Sequence, residues 1–349
     1  MTMPGDWLKR LDPWLASSAG MMASGLRQLR RAPDEAALVI RPGGMGDLIC
    51  CCMALESLGM APHDWHWLIE RRSAPWADHL GLSYRCYDRQ PWRLAGDFGR
   101  YRRVVNTEQR FGLAQAMALA LLKPGGELFH FSSNRLAISG TTSVAYDPYL
   151  THEVAAFSRL FAAAVQCEPV PLSPRQRLRA SHGEVILGLA GGASPSRTIP
   201  AATWLVLAQR YLPAGPVTVL AGPAERALAE TLQQTQPERF RSIEIDFGSV
   251  CERIATAECL MTMDGGMSHI ASYYGIPQLV LFTSGRRDKW APCSAHSATL
   301  QRQDLACQPC TVFGQTPPCP NQFRCHDFSK ACLSGHWPWL AQSGMAAQR

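Results

Sequence analysis

Two doubly wound α/β domains are what this sequence predicts, and three observations predict them. Short apolar runs suited to buried parallel strands alternate with helix-length stretches across Gly- or Pro-bearing turns. The alternation stops at the stretch Cys167 to Pro174, where Pro169, Pro171 and Pro174 make a stiff extended linker, and then restarts. The composition is that of a folded chain: 349 residues, 46% hydrophobic, only 18% charged, with ten tryptophans. The domains implied are a basic extension at 1–35, a first Rossmann-like domain at 36–168 and a second at 169–349, with a Cys-rich segment at 307–332. Two such halves joined by a hinge leave a cleft between them, and ligands of such sheets sit beyond the carboxyl ends of the strands.

Taken in order, the extension carries Trp7, Leu8, Leu11, Trp14 and Leu15 at helical spacing, with Lys9, Arg10, Arg27, Arg30 and Arg31 around them. That pattern suits either an arm packing on protein or a helix lying in an anionic membrane interface, so residues 1–33 are a candidate peripheral membrane contact. Ala37-Leu38-Val39-Ile40 predicts a central strand, buried on both faces. A glycine-bearing turn, Arg41 to Asp47, leads into a helix over Leu48 to Leu58. Trp65 to Ile69 and Arg103 to Val105 predict further strands, and Phe111 to Leu122 a buried helix. After the linker come a strand at Val185 to Leu189, a helix at Ala201 to Tyr211, a strand at Val217 to Ala221 and a helix at Ala224 to Leu232. Ile243 to Ile245, Cys259 to Met263 and Gln278 to Phe282 predict the later strands.

Charge excludes one class of partner. The net charge is +6, and only four of the 34 basic residues are lysine. The arginines are scattered, without the aromatic-interleaved stripes of a nucleic-acid binder, so no nucleic acid is expected. An anion site here is expected to use arginine, whose planar fork grips phosphate at two points. No run of the roughly 18 apolar residues needed to span a bilayer occurs, and residues 1–31 lack a secretory pattern. The expectation is a cytoplasmic protein, peripheral at the inner membrane if the extension docks there. Thirteen cysteines in a chain of this kind point to reduced thiols or a metal rather than disulfides.

Three loops can carry chemistry. In the first, Gly43, Gly44 and Gly46 let the backbone approach a ligand, Gly44 and Met45 being the acceptor-loop candidates, and Asp47 stands at the following helix's start. Asp47 suits either a helix cap or a general base. The pattern is not Gly-x-Gly-x-x-Gly, which argues against a nicotinamide site. In the second, Gly191 to Pro200, glycines, the hydroxyls of Ser194 and Ser196, and Arg197 just before a helix suit an anion or an ordinary connection. In the third, Met263 to Ala271, a strand ends at Asp264, Gly265 and Gly266 free their backbone N–H groups, and a helix follows. Unpaired amides and a positive dipole end would face a phosphate there, with Asp264 placed for sugar hydroxyls. His269, one turn on, is either structural or ligand-facing.

Together these stretches resemble glycosyltransferase family 9, the heptosyltransferases that use ADP-heptose. The likeness is carried in order by Val39-Ile40-Arg41 with Gly46-Asp47, by Arg197-Thr198-Ile199-Pro200, by Leu220 to Glu225, and by Asp264, Gly266, His269 and Ala271 followed by Gly275, Pro277 and Leu281-Phe282. The resemblance implies a metal-independent, inverting glycosyltransferase of GT-B fold. It implies Asp47 as the base, Arg197 and the Gly265–Gly266 amides on the diphosphate, and Asp264 on the donor sugar. The donor implied is an ADP-sugar and the acceptor a lipopolysaccharide-core-type glycolipid, with a protein hydroxyl or a small metabolite as alternatives. The chain departs from the family in Gly43-Gly44 for a Ser pair, Ile199 for Trp, Gly285-Arg286 for Thr-Asp, and a long lead before the first strand.

No cofactor is expected for catalysis. In the Cys-rich segment, the Cys307-x-x-Cys310 turn suits one metal held by two thiolates, and later cysteines could complete a tetrahedron; plain reduced thiols are the alternative. The resemblance extends to a subset of the family that carries such runs, among them protein heptosyltransferases that bind iron. Cys307, Cys310, Cys319 and Cys325 match that subset, with Cys332 as the alternative fourth ligand, so a structural zinc or iron is expected there. A metal-binding, membrane-docked scaffold is the non-enzyme reading. Cys50-Cys51-Cys52 is expected to act as small apolar packing.

Overall fold

The computed structural model describes residues 35–109, 112–133, 141–189, 195–244, 246–311 and 316–339. The basic extension at 1–33 and the loop stretch holding Ser194 lie outside these residues. The chain divides into two compact units between Pro171 and Leu172, inside the proline-rich stretch.

In the first unit, β1 (Glu35–Arg41), α1 (Met45–Ser57), β2 (His66–Ile69), α2 (Ala74–His79) and β3 (Ser83–Cys86) are followed by β4 (Tyr101–Asn106), α3 (Gly112–Leu121), β5 (Leu122–Phe131), β6 (Thr142–Val144) and α4 (Glu153–Val165). The sheet runs β3-β2-β1-β4-β5-β6, every pairing parallel. Leu38, Val39 and Ile40 are buried, as a strand covered on both faces requires. Along α1 every residue from Leu48 to Leu55 is buried, Cys50, Cys51 and Cys52 among them as small apolar side chains, and the helix packs on α4.

The second unit repeats the plan. It runs β7 (Glu184–Gly188), α5 (Ala201–Tyr211), β8 (Val217–Leu220), α6 (Arg226–Thr235), β9 (Phe240–Ile243), α7 (Phe247–Ala255) and β10 (Ala257–Met263). It continues with α8 (Gly266–Tyr274), β11 (Gln278–Phe282), α9 (Arg287–Trp290), β12 (Ala298–Arg302) and β13 (Ala331–Gly335). Its order is β13-β12-β11-β10-β7-β8-β9, parallel except for β13, which pairs antiparallel with β12. Trp204, Leu207, Val219, Leu232, Phe240 and Met261 lie in the core that α5 and α6 close over the sheet. Among the described residues no helix is long and apolar enough to cross a membrane.

Both sheets therefore have the same doubly wound order, with the reversal between the first and fourth strands of each unit. The crevice outside the carboxyl ends of those two strands is where such folds bind ligands. In the first unit it lies beyond β1 and β4; in the second, beyond β7 and β10.

Two expected elements are displaced. The strand expected at Ile243 to Ile245 lies earlier, at Phe240–Ile243: Phe240 is buried and Glu244 exposed, while the Asp246 carboxylate caps α7 by accepting from the Ser249 N–H at 3.0 Å. The buried helix expected to reach Leu122 stops at Leu121, and Leu122 opens β5.

Candidate active site

In the first unit, β1 delivers Arg41 and the first turn of α1 delivers Asp47. Arg41 Nη2 donates to Asp47 Oδ2 at 2.7 Å, with side chains 7% and 19% exposed. Arg41 Nη1 donates to the Thr107 carbonyl at 3.0 Å, and the Thr107 hydroxyl donates to the Ile40 carbonyl at 2.8 Å, so the end of β4 braces the end of β1. The turn between them closes tightly. Gly43 has φ of +148°, and a Cβ on it would come 2.7 Å from Arg41 Nη2 and 3.0 Å from Asp47 Oδ2. Glycine at 43 is thus what allows the ion pair. The helix cap is Gly44, without a side-chain bond, so Asp47 is not the cap that its position suggested. Gly44 and Met45, the acceptor-loop candidates, form the entry to α1.

Burial works against the Arg41 charge. Asp47, Glu108, Cys51 and Glu153 outweigh it and raise the Arg41 pKa above its ordinary value. Glu153 is buried and accepts from Gln109 Nε2 and from the Tyr146 hydroxyl at 3.2 Å. Burial, then Glu153, pushes the Tyr146 phenol up. Sequence reasoning missed Arg41, Glu108, Tyr146 and Glu153 as members of this acidic setting; only Arg41 stood in a quoted motif. Asp47 is the member of the ion pair with more access to solvent. Arg41 holds its Oδ2, and no described residue bonds Oδ1. A carboxylate oriented by a buried cation and open on one oxygen can accept a proton.

In the second unit the loop after β7 carries Arg197 in a short turn, Pro195–Arg197, ahead of α5, and the loop after β10 carries Asp264. Arg197 Nη1 donates to the Asp264 carbonyl at 3.3 Å, and its Nη2 lies 3.6 Å from Asp264 Oδ2. The residue Asp264 is 4% exposed. Its Oδ2 and Arg197 Nε are buried without a hydrogen-bond partner among the described residues. Unmade bonds of this kind cost about 1–3 kcal/mol each in a sealed interior, so a native structure retains them where something else completes them. Gly265 is extended and Gly266 opens α8, whose first-turn N–H groups have no intrahelical partner.

The flanking chain is fitted to this pair. A Cβ at Gly285 would fall inside contact distance of Asp264 Oδ2, which explains why glycine stands where the resembling family has threonine. Ser196 is placed differently from the expectation of an anion-facing hydroxyl: it is buried and its Oγ donates to Ser284 Oγ at 2.8 Å, making it a brace for the loop. His269 is buried, edge-on to Trp290 with ring centroids 5.7 Å apart. The Cys-rich segment lies against the same loops. Cys310 and Thr311 N–H groups donate to the Ser284 carbonyl at 3.2 and 2.9 Å. His326 Nε2 donates to the Ser196 carbonyl at 2.9 Å.

Among the cysteines, burial pushes the Cys325 thiol up to about 11, helped by Cys310, Cys319 and Cys307. Burial and then Cys307 raise Cys310, with a smaller push from Cys319. Cys310, Cys319 and Cys325 are half-buried and Cys307 exposed, while Cys332 stands exposed on β13. Among the described residues, no three His, Cys, Asp or Glu side chains converge closely enough to hold a metal ion.

The family model described as glycosyltransferase family 9 (heptosyltransferase) matches residues 140–319. Lipooligosaccharide heptosyltransferase 2 of Campylobacter jejuni serotype O:6 is 27% identical over 150 residues, 41% of this chain and 48% of that protein. The match thus spans about half the length of the curated relative. The solved structure of E. coli heptosyltransferase WaaC with ADP is similar at a TM-score of 0.59 and 14% identity, over 76% of this chain and 92% of that one. E. coli ADP-heptose lps heptosyltransferase II aligns at 0.57 and 15%, over 78% and 92%. At such identities the likeness shows the fold.

Proposed function

Because the chain belongs to glycosyltransferase family 9 and its two domains have the GT-B form of the heptosyltransferases compared above, we propose that it transfers a heptose, or a related sugar, from an ADP-sugar to a hydroxyl of a lipopolysaccharide-core-type glycolipid. The observation that carries this reading is the pair Arg197 and Asp264. A cation and a carboxylate, each with a buried polar atom unsatisfied, meet beside a helix N-terminus in the switch-point crevice of the second unit. A nucleotide diphosphate and its sugar would supply what both lack.

In the proposed reaction, Asp47 Oδ1 takes the proton of the acceptor hydroxyl while that oxygen attacks the anomeric carbon. The carbon–oxygen bond to the diphosphate breaks, and its electron pair leaves on the β-phosphate of ADP. Arg197 and the first-turn N–H groups of α8 receive that growing charge, preorganised stabilisation that calls for no metal. A single displacement inverts the anomeric centre.

The phosphorylated glycolipid is favoured over a protein hydroxyl by the first unit. A groove of about 350 Å³ between β3 and the following turn is lined by Tyr84, Arg85, Arg89, Gln90 and Arg93. Arg85 is engaged by Asp97 at 2.8 Å. Arg89 and Arg93 are exposed and make no ion pair among the described residues, and Trp92 between them is 70% exposed. Free guanidinium groups around an exposed indole suit a phosphate-bearing head group at a lipid surface.

Thermal-shift measurements with ADP, UDP, GDP and CDP test the donor assignment. ADP is expected to raise the melting temperature alone, since ligand at 100 times Kd stabilises by about 2.7 kcal/mol. An equal response to UDP or GDP would overturn it.

The Cys-rich segment is proposed as a structural site for zinc or iron, held by Cys307, Cys310, Cys319 and Cys325. The Cys307-x-x-Cys310 turn offers two thiolates and Cys319 and Cys325 two more, an all-sulfur donor set that suits zinc or iron. Their present spacing is open, and no step of the reaction runs through the site. Elemental analysis is expected to find about one zinc or iron per chain, as a closed structural site requires, and to find it lost in Cys310→Ser. Wild-type protein with less than about a tenth of that content would end the proposal.

A further inference from the structure

We infer that His326 is a positioning residue for the donor loop, and that through it the Cys-rich segment and donor affinity are coupled. The inference rests on the reading of Arg197 as the group that meets the diphosphate.

Arg197 closes the short turn Pro195–Arg197 ahead of α5. Its neighbour Ser196 is held on one side by the hydroxyl bond to Ser284 and on the other by His326, 130 residues away in sequence. The acceptor in the second bond is a backbone carbonyl, which cannot donate, so Nε2 of His326 must carry a proton. Three contacts fix the imidazole and the turn that carries it. The Phe323 ring stacks on it with centroids 5.0 Å apart and planes 15° from parallel. The His326 N–H closes a turn onto the Phe323 carbonyl at 2.8 Å. Arg302, at the end of β12, donates to the carbonyls of Arg324 and Asp327 at 3.4 and 3.3 Å and clamps both ends of that turn.

Cys325 lies in the middle of the same turn. A change of state at its thiol, whether metal gained or lost or a covalent adduct, therefore bears directly on the residue that holds the Arg197 loop. A second tie runs in parallel: Gln308 Nε2 donates to the carbonyls of Phe282, at 3.0 Å, and Thr283, on the strand end and loop that lead to Gly285. Because coupling between two binding events is reciprocal, nucleotide in the donor site must in turn hold Cys325 in place.

The test uses full-length protein, ADP calorimetry, steady-state kinetics with the ADP-sugar, and, on protein stripped of metal by a chelator, the alkylation rate of Cys325 by iodoacetamide read by mass spectrometry. Cys167, exposed in the linker, is the internal control. His326→Ala is expected to raise the ADP Kd and the donor KM about fivefold to tenfold, the size expected for one lost buried hydrogen bond, with kcat within about twofold. His326→Gln, which keeps an N–H donor on a similar reach, is expected to restore most of that loss. In wild-type protein ADP is expected to slow Cys325 alkylation severalfold without slowing Cys167, and in His326→Ala that protection disappears. If Arg197→Ala loses ADP affinity while His326→Ala keeps it, the inference fails and the assigned donor site stands. If Arg197→Ala binds ADP as wild type does, the donor-site reading itself fails. Should His326→Ala not fold, equal alkylation of wild-type Cys325 with and without ADP overturns the coupling by itself.

Discussion

Replacing Asp47 with alanine is expected to slow sugar transfer by about 10²- to 10⁴-fold, the contribution typical of a positioned general base, while ADP affinity stays unchanged. The two effects separate because the carboxylate belongs to the first unit's crevice and the nucleotide is assigned to the second's. The substitution also removes the closest partner of a buried arginine. Glu108 and Glu153 remain near enough to favour the Arg41 charge, so the unit is expected to stay folded. Asp47→Asn sharpens the test. It keeps the size of the side chain and a hydrogen-bonding oxygen for Arg41 but has no basic oxygen for the acceptor proton. Both variants should be inactive in a product-release assay and normal in ADP calorimetry. Transfer by Asp47→Asn at more than about a tenth of the wild-type rate would remove Asp47 from the role of base, given the factor such bases supply.

Arg197→Ala is the second large effect. ADP affinity is expected to fall by about 1.5–3 kcal/mol, the range for a charge-assisted hydrogen bond, which is roughly 10- to 150-fold in Kd. A drop in stability should accompany it, because the nearly buried Asp264 carboxylate loses the one cation beside it among the described residues. The double variant Arg197→Ala/Asp264→Asn distinguishes the two losses. Neutralising residue 264 should recover melting temperature without recovering ADP affinity. If instead the double variant regains ADP binding, the loss in the single variant came from a damaged loop and not from a missing contact to phosphate.

The parts of this fold that were legible beforehand are those whose physics is local. Val39-Ile40 and Leu279 to Phe282 are continuous apolar runs because the strands they form are covered on both faces. The turns after β1 and β10 advertised themselves through Gly43-Gly44 and Gly265-Gly266, where backbone must come close to other groups. The unread parts are non-local. β5 opens with Leu122 and then Lys123-Pro124-Gly125-Gly126, which reads as a breaker, yet past this irregular start Glu127 to Phe131 pair with β4 and β6. β12 and β13 pair across the whole Cys-rich segment, at a separation no periodicity reveals.

The site shows the same division. Asp47, Arg197 and Asp264 announced themselves by chemistry and by their loops. The cap reading of Asp47 failed because Gly43 allows Arg41 to reach round the turn and take the carboxylate, a contact between residues six apart that a capping rule does not weigh. Ser196 was read by its hydroxyl alone, and only the fold shows Ser284 opposite it. His326 stood in no quoted motif, since the carbonyl it holds lies in another loop.

The antiparallel register that aligns Ala298 with Gly335 and Arg302 with Ala331 has a consequence for how this chain could have acquired its thiols. Residues 303–330 leave the sheet and return to it at adjoining points of one hairpin. They can change in length without disturbing any strand inward of β12 so long as Gln308, His326 and the buried Phe328 keep their places. A sensor or anchor spliced in at that edge would inherit a ready-made lever on the nucleotide loop, while the buried central strands of the open sheet went untouched.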